Sequence, residues 1–168
     1  NPVGRVVLFE EDDLFLCNNF TQVLRFKDID PRFAFYSLYY FYQTNKTAIR
    51  SMGSKTTGIQ NLNMSKYLEI GIPNASDEEQ KEFVAIAEQA DKSKFTSLKS
   101  QFIEMFGNPL SSVQRYPLKK LGDCCELNPR RPNLTLKETD KVSFVPMPSV
   151  SENGYLQDVV DEEYGKVK

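Results

Sequence analysis

Between Arg50 and Asn63 the chain concentrates side chains able to hold a nucleic acid. Arg50 and Lys55 offer cations to phosphate oxygens, and Ser54, Thr56 and Thr57 offer small hydroxyls. Gln60, Asn61 and Asn63 end in amides that can donate to and accept from one base edge at once. The stretch Gly53-Ser54-Lys55-Thr56-Thr57-Gly58 looks like a phosphate-binding loop, but it lacks the Gly-Lys-Ser/Thr ending that places a lysine and a magnesium ion, so nucleotide binding is not expected. A second group, Asn128-Pro129-Arg130-Arg131-Pro132, carries Asn128, Arg130 and Arg131 on a stiff basic turn suited to a phosphate backbone. On composition alone a solvated connector is the simpler reading of the first segment. A plain surface turn fits the second equally well.

The chain has no histidine, which removes Ser-His and Cys-His nucleophile pairs and every His-containing metal site. Its acidic runs, Glu10-Glu11-Asp12-Asp13 and Asp161-Glu162-Glu163, read as solvated turns. No catalytic residue, metal site or cofactor is expected. Three cysteines, two of them the neighbours Cys124 and Cys125, form no disulfide framework and are read as reduced thiols. With 21 Lys and Arg against 23 Asp and Glu, the net charge of −2 offers little overall attraction to DNA, so a DNA site would need a local basic patch. No run approaches the roughly 18 apolar residues of a membrane span, and no secretory signal opens the chain, so a soluble cytoplasmic protein is expected.

The elements that must position these groups are legible in outline. Three β-rich runs, Arg5 to Phe9, Leu14 to Cys17 and Gln22 to Phe26, predict an antiparallel meander. Asp30-Pro31 is an N-cap followed by proline at the first helical position, and the aromatic run from Phe33 to Tyr42 predicts a buried helix to about Thr44. Ser76-Asp77-Glu78-Glu79 is a capping box. From Ser76 to Phe106 there is neither Gly nor Pro, and Gly107-Asn108-Pro109 supplies a stop, so one helix of about 45 Å is expected over 76–107. Its apolar positions, Phe83, Ala87 and Ala90 in one half and Phe95, Leu98, Phe102 and Met105 in the other, call for a second helix to cover them. Beyond it, Tyr116 to Gly122 suggests a short helical turn, and Cys124 to Leu127 and Val142 to Val145 read as strands.

The order of three segments, Gly58-Ile59-Gln60-Asn61-Leu62-Asn63-Met64-Ser65, then Ile70-Gly71-Ile72-Pro73, then Asp77-Glu78-Glu79-Gln80 at the head of the long helix, resembles the DNA-specificity subunit of type I restriction-modification enzymes. Leu121-Gly122-Asp123 and Glu126-Leu127-Asn128-Pro129-Arg130 resemble the opening of that family's next recognition domain. The resemblance implies an α+β chain in three parts. Residues 1–75 would be the end of one β-rich target-recognition domain, 76–107 a conserved-region helix pairing as an antiparallel coiled coil, and 108–168 the start of the following domain. It implies double-stranded DNA as partner, contacted through the Arg50 to Asn63 and Asn128 to Arg131 segments, with methyltransferase subunits and a restriction subunit as further partners. Catalysis would belong to those other subunits. The Asn-Pro-Pro-aromatic motif of adenine methyltransferases is missing here, since Asn128-Pro129 runs into Arg130.

A straight helix would hold residues 1–75 and 108–168 at opposite ends, so a swapped, antiparallel homodimer is expected to complete both partial domains, unless the chain is an excised piece of a longer subunit. A helical scaffold without DNA readout is the alternative from a different class.

Overall fold

The computed structural model describes residues 3–10, 14–56, 59–90, 95–130 and 133–168, and of 55, 56, 59 and 60 the backbone only. At its centre lies helix α1 (Pro31–Thr44), which starts as the sequence predicts: Asp30 caps it by accepting from the Arg32 amide, and Pro31 occupies the first turn. Every residue from Phe33 to Tyr42 is buried. A helix buried all round needs neighbours on all sides, and the rest of the chain supplies them.

One flank is helical. Helix α2 (Lys46–Ser51) follows α1, and the short helix α3 (Met64–Tyr67) comes later. Helices α4 (Asp77–Gln89) and α5 (Phe95–Phe106) stand where one long helix is expected. Ser76 and Glu79 form the predicted capping box at the head of α4, and Gly107, at φ 74°, donates to the Ile103 carbonyl at the end of α5. The expected continuity fails at Ala90, whose φ of −70° and ψ of 133° are extended. Phe83 then meets Phe102 at 5.6 Å and Phe106 at 5.4 Å between ring centroids. In an unbroken helix the 23 residues from 83 to 106 would separate those rings by about 35 Å. Helix propensity could not foresee the break, since no Gly or Pro marks it. What decides it is burial: folded back, both apolar stripes close on each other and on Phe33, Tyr36 and Tyr40 of α1.

The strands make a second correction. Strand β1 (Phe15–Cys17) pairs in parallel with β8 (Lys141–Val145), which pairs antiparallel with β9 (Val160–Glu163). Strand β2 (Leu24–Phe26) pairs with β7 (Cys125–Leu127), and β5 (Gly71–Pro73) with β6 (Leu118–Lys120), both antiparallel. The predicted meander is therefore absent: β1 and β2 do not pair with each other, and Arg5 to Phe9 forms no strand but tucks Val6 and Leu8 against the core. Strands β3 (Gly53–Thr56) and β4 (Ile59–Leu62) pair antiparallel as a local hairpin. The remaining elements are helix α6 (Leu121–Cys124), a 3-10 turn at Met147–Ser149 and helix α7 (Tyr164–Val167).

These pairings join residues 1–75 to residues 108–168 within one chain. The premise of the swapped dimer, two halves held apart by a rigid rod, does not hold. A second cluster of Leu38, Phe41, Tyr42, Ile49, Tyr67, Ile70 and Leu121 seals the junction from the side opposite α4 and α5. The Leu121 amide donates to the Ile70 carbonyl at 2.8 Å, and the Tyr116 hydroxyl reaches Glu79 at 2.5 Å, so backbone and side chains both tie the C-terminal segment down.

Candidate nucleic-acid interface

The segment read as a polar loop is a short helix followed by a hairpin. Arg50 is exposed in the last turn of α2, and Met52 then leads directly into β3. In the β3–β4 ladder Ser54 lies opposite Asn61 and Gly53 opposite Leu62. Directly opposed residues share a face, so Ser54 and Asn61, both exposed, stand side by side, while Leu62 packs into the second cluster. Lys55 and Gln60 oppose each other in the ladder, and Thr56 opposes Ile59. Thr57 lies outside the described residues, as does Arg131.

Two of the predicted contact residues carry structural duties. Asn63 is the N-cap of α3, its Oδ1 accepting from the Lys66 amide at 3.2 Å. Asn128 sits in the left-handed region at φ 48°, a conformation Asn tolerates better than branched or bulky residues. From there its amide donates to the Val23 carbonyl at 2.7 Å and its Oδ1 accepts from the Val23 amide at 2.9 Å. Its Nδ2 donates to Gln22 Oε1 at 2.6 Å. Asn128 thus clamps the turn between β1 and β2 onto the end of β7. Arg130, two residues on, is exposed.

That turn is the part of the surface that sequence reasoning missed. The Asn18 amide donates to the Val145 carbonyl, and Asn18 accepts from the Phe20 amide through Oδ1 at 2.9 Å and from the Thr21 amide through its carbonyl at 2.8 Å. The result is a turn pinned at both ends that holds Phe20 53% exposed. Between this turn, the base of the β3–β4 hairpin and the 3-10 turn opens a cleft of about 270 Å³. Phe20, Met64, Met147 and Pro148 give it apolar walls, and Gln22 and Asn61 bring amides to it. Arg5 also lines it, with one guanidinium nitrogen on the Val150 carbonyl and another on Glu152, both at 3.1 Å. The signal available beforehand was Asn18-Asn19 before an aromatic, a turn with nothing local to bury the ring.

The groups expected to pair helices are turned inward within the chain. Phe83, Ala87, Leu98 and Phe102 are buried, and Phe95 and Met105 pack at the edge of the same cluster. Ala90 is the break itself. Among the described residues no group of His, Cys, Asp or Glu is placed to hold a metal ion. No helix among them is long and apolar enough to cross a membrane. Burial pushes the Cys124 and Cys125 thiols above their ordinary range, which makes poor nucleophiles of them.

The family model for the type I restriction modification DNA specificity domain matches residues 1–104. The chain belongs to that family. The matched stretch contains β1 to β5, α1 to α4 and nearly all of α5, and so includes the β3–β4 hairpin and the Phe20 turn. Strands β6 to β9, which close the sheets, lie beyond it. Neither the curated proteins nor the solved structures yield a match. Membership gives the chain a specificity role in type I restriction-modification in general, and the α+β fold agrees with the resemblance read from its motifs.

Proposed function

We propose that this chain reads duplex DNA for a type I restriction-modification enzyme, directing methyltransferase and endonuclease subunits that carry out the chemistry in the cytoplasm. The observation that carries the reading is the family match across residues 1–104, which takes in a hairpin presenting Ser54 and Asn61 side by side. Arg50, Lys55 and Arg130 are the proposed phosphate contacts, with Arg131 beside them in sequence; Ser54 and Asn61, opposite each other in the ladder, are the proposed polar pair facing the duplex, and Thr56, Thr57 and Gln60 are further candidates in the same segment. Asn63 and Asn128 serve by shaping that surface rather than by touching DNA.

Titration of duplex DNA at rising salt tests this. Each phosphate contact releases counterions, so three such contacts give a slope of log affinity against log salt of about −2.7. Arg130→Ala is expected to reduce that slope by about one contact, roughly 0.9. Binding indifferent to salt, or no duplex binding, would refute the reading. The competing view of a helical scaffold relied on an open apolar stripe along 83–105, and that stripe is filled by α1 and by the α4–α5 pair itself.

A further inference from the structure

We infer that the Phe20 turn is the base-reading half of this surface, and that it reads an adenine–thymine pair: Gln22 on the adenine edge, Phe20 against the thymine methyl. This rests on the DNA-reading function proposed above and assigns the recognition to residues that the motif reading left aside.

Three observations converge. The first is rigidity. The turn is fastened by Asn18 at one end and by Asn128 at the other, and Asn128 fixes which way the Gln22 amide points by donating to Oε1. An amide whose orientation is set before binding has already lost the rotamer freedom that a free glutamine would surrender on contact. The second is chemistry. The cleft joins two carboxamides, Gln22 and Asn61, to apolar walls. A side-chain amide is the group that pairs both N6 and N7 of adenine, and an apolar side chain is what the thymine C5 methyl contacts; guanine would instead favour Arg or Lys. Arg5, the cation lining the cleft, is engaged by Glu152 and the Val150 carbonyl, which leaves the amides as the groups suited to a base edge. The third is exposure. Phe20, 53% exposed at the mouth of the cleft on a turn hydrogen-bonded at both ends, is open to a group entering from solvent.

The experiment uses the whole chain and a pool of random duplexes, from which bound sequences are enriched. The expected product is a motif containing an invariant A·T pair. In that duplex, replacing the adenine by 7-deazaadenine removes N7 and is expected to weaken binding roughly 5- to 150-fold, the range of one bidentate contact. Replacing the thymine by uracil removes one methyl and is expected to cost roughly 4-fold. The variants assign the contacts. Phe20→Ala is expected to lose the uracil effect while keeping the deaza effect. Gln22→Glu keeps the acceptor for Asn128 but exchanges donors for an acceptor, so its enriched motif is expected to shift from adenine to cytosine at that position. If the wild type enriches no sequence, the DNA-reading function fails and takes this inference with it. If it enriches a motif that both variants preserve unchanged, with both base analogues still costing affinity, the assignment to this turn alone is overturned.

Discussion

The fold-back of α4 on α5 can be tested by a pair of residues that no straight helix could bring together. Phe83 and Phe106 are 23 positions apart, yet their rings meet edge to face at 5.4 Å, both inside a cluster with Phe33 and Phe102. Phe83→Leu and Phe106→Leu should each cost about 1–2 kcal/mol, since each trades an aromatic ring for a smaller side chain in a closed core. An edge-to-face pair contributes about 0.5–1.5 kcal/mol beyond the area its rings bury. That contribution can be lost only once, so the double variant should fall short of the sum of the singles by about that amount. Urea unfolding of the four proteins measures it, with light scattering on the same samples to show that the contact is made within one chain. Additivity within about 0.3 kcal/mol would refute the fold-back, because rings separated along one helix share no partner. Coupling in a dimeric sample would instead place the contact between chains.

The solution mass follows from the same geometry: with strands of both halves paired inside one chain, a monomer of 19.3 kDa is expected across a concentration series, and a stable dimer would reinstate strand exchange. Glu79 makes stability depend on acidity. Its carboxyl is held below the ordinary glutamate range by the Tyr116 hydroxyl and then by the Ser76 amide and hydroxyl. A lowered native value means stability present above the unfolded value of about 4.3 and lost as pH falls through the native one. Thermal melts of wild type and Glu79→Gln should therefore differ at pH 7 and draw together as pH falls below the ordinary glutamate range, and a gap independent of pH would refute this account. Asn128→Ala should cost about 1–2 kcal/mol by removing its solvent-exposed side-chain bonds to Val23 and Gln22 and by placing alanine in the left-handed region, whereas Asn128→Gly should recover part of the loss by relieving the strain. Equal melts for Ala and Gly would show that the left-handed backbone carries no penalty there.

Local chemistry is what the sequence by itself determined. The Asp30-Pro31 start and buried aromatic face of α1, the Ser76–Glu79 capping box and the Gly107 stop all appear where their residues predict, because each depends on hydrogen bonds and backbone angles spanning a few positions. The family resemblance was legible for the same reason, in short motifs in a fixed order. Tertiary structure decided whatever depended on partners distant in the chain. Residues 76–107 carry every local sign of one helix, and only the chance to close two aromatic stripes on α1 breaks it at Ala90. Likewise Phe15–Cys17 and Leu24–Phe26 read as neighbours in a meander, but their ladders lie more than a hundred residues away in β8 and β7. The site divides along the same line. Asn61 could be picked by type and spacing, whereas Phe20 and Gln22 join it only because Asn128 fastens their turn from the far half of the chain. A period or a cap is written in adjacent residues; a contact across the core is a property of the whole packing, and no local stretch contains it.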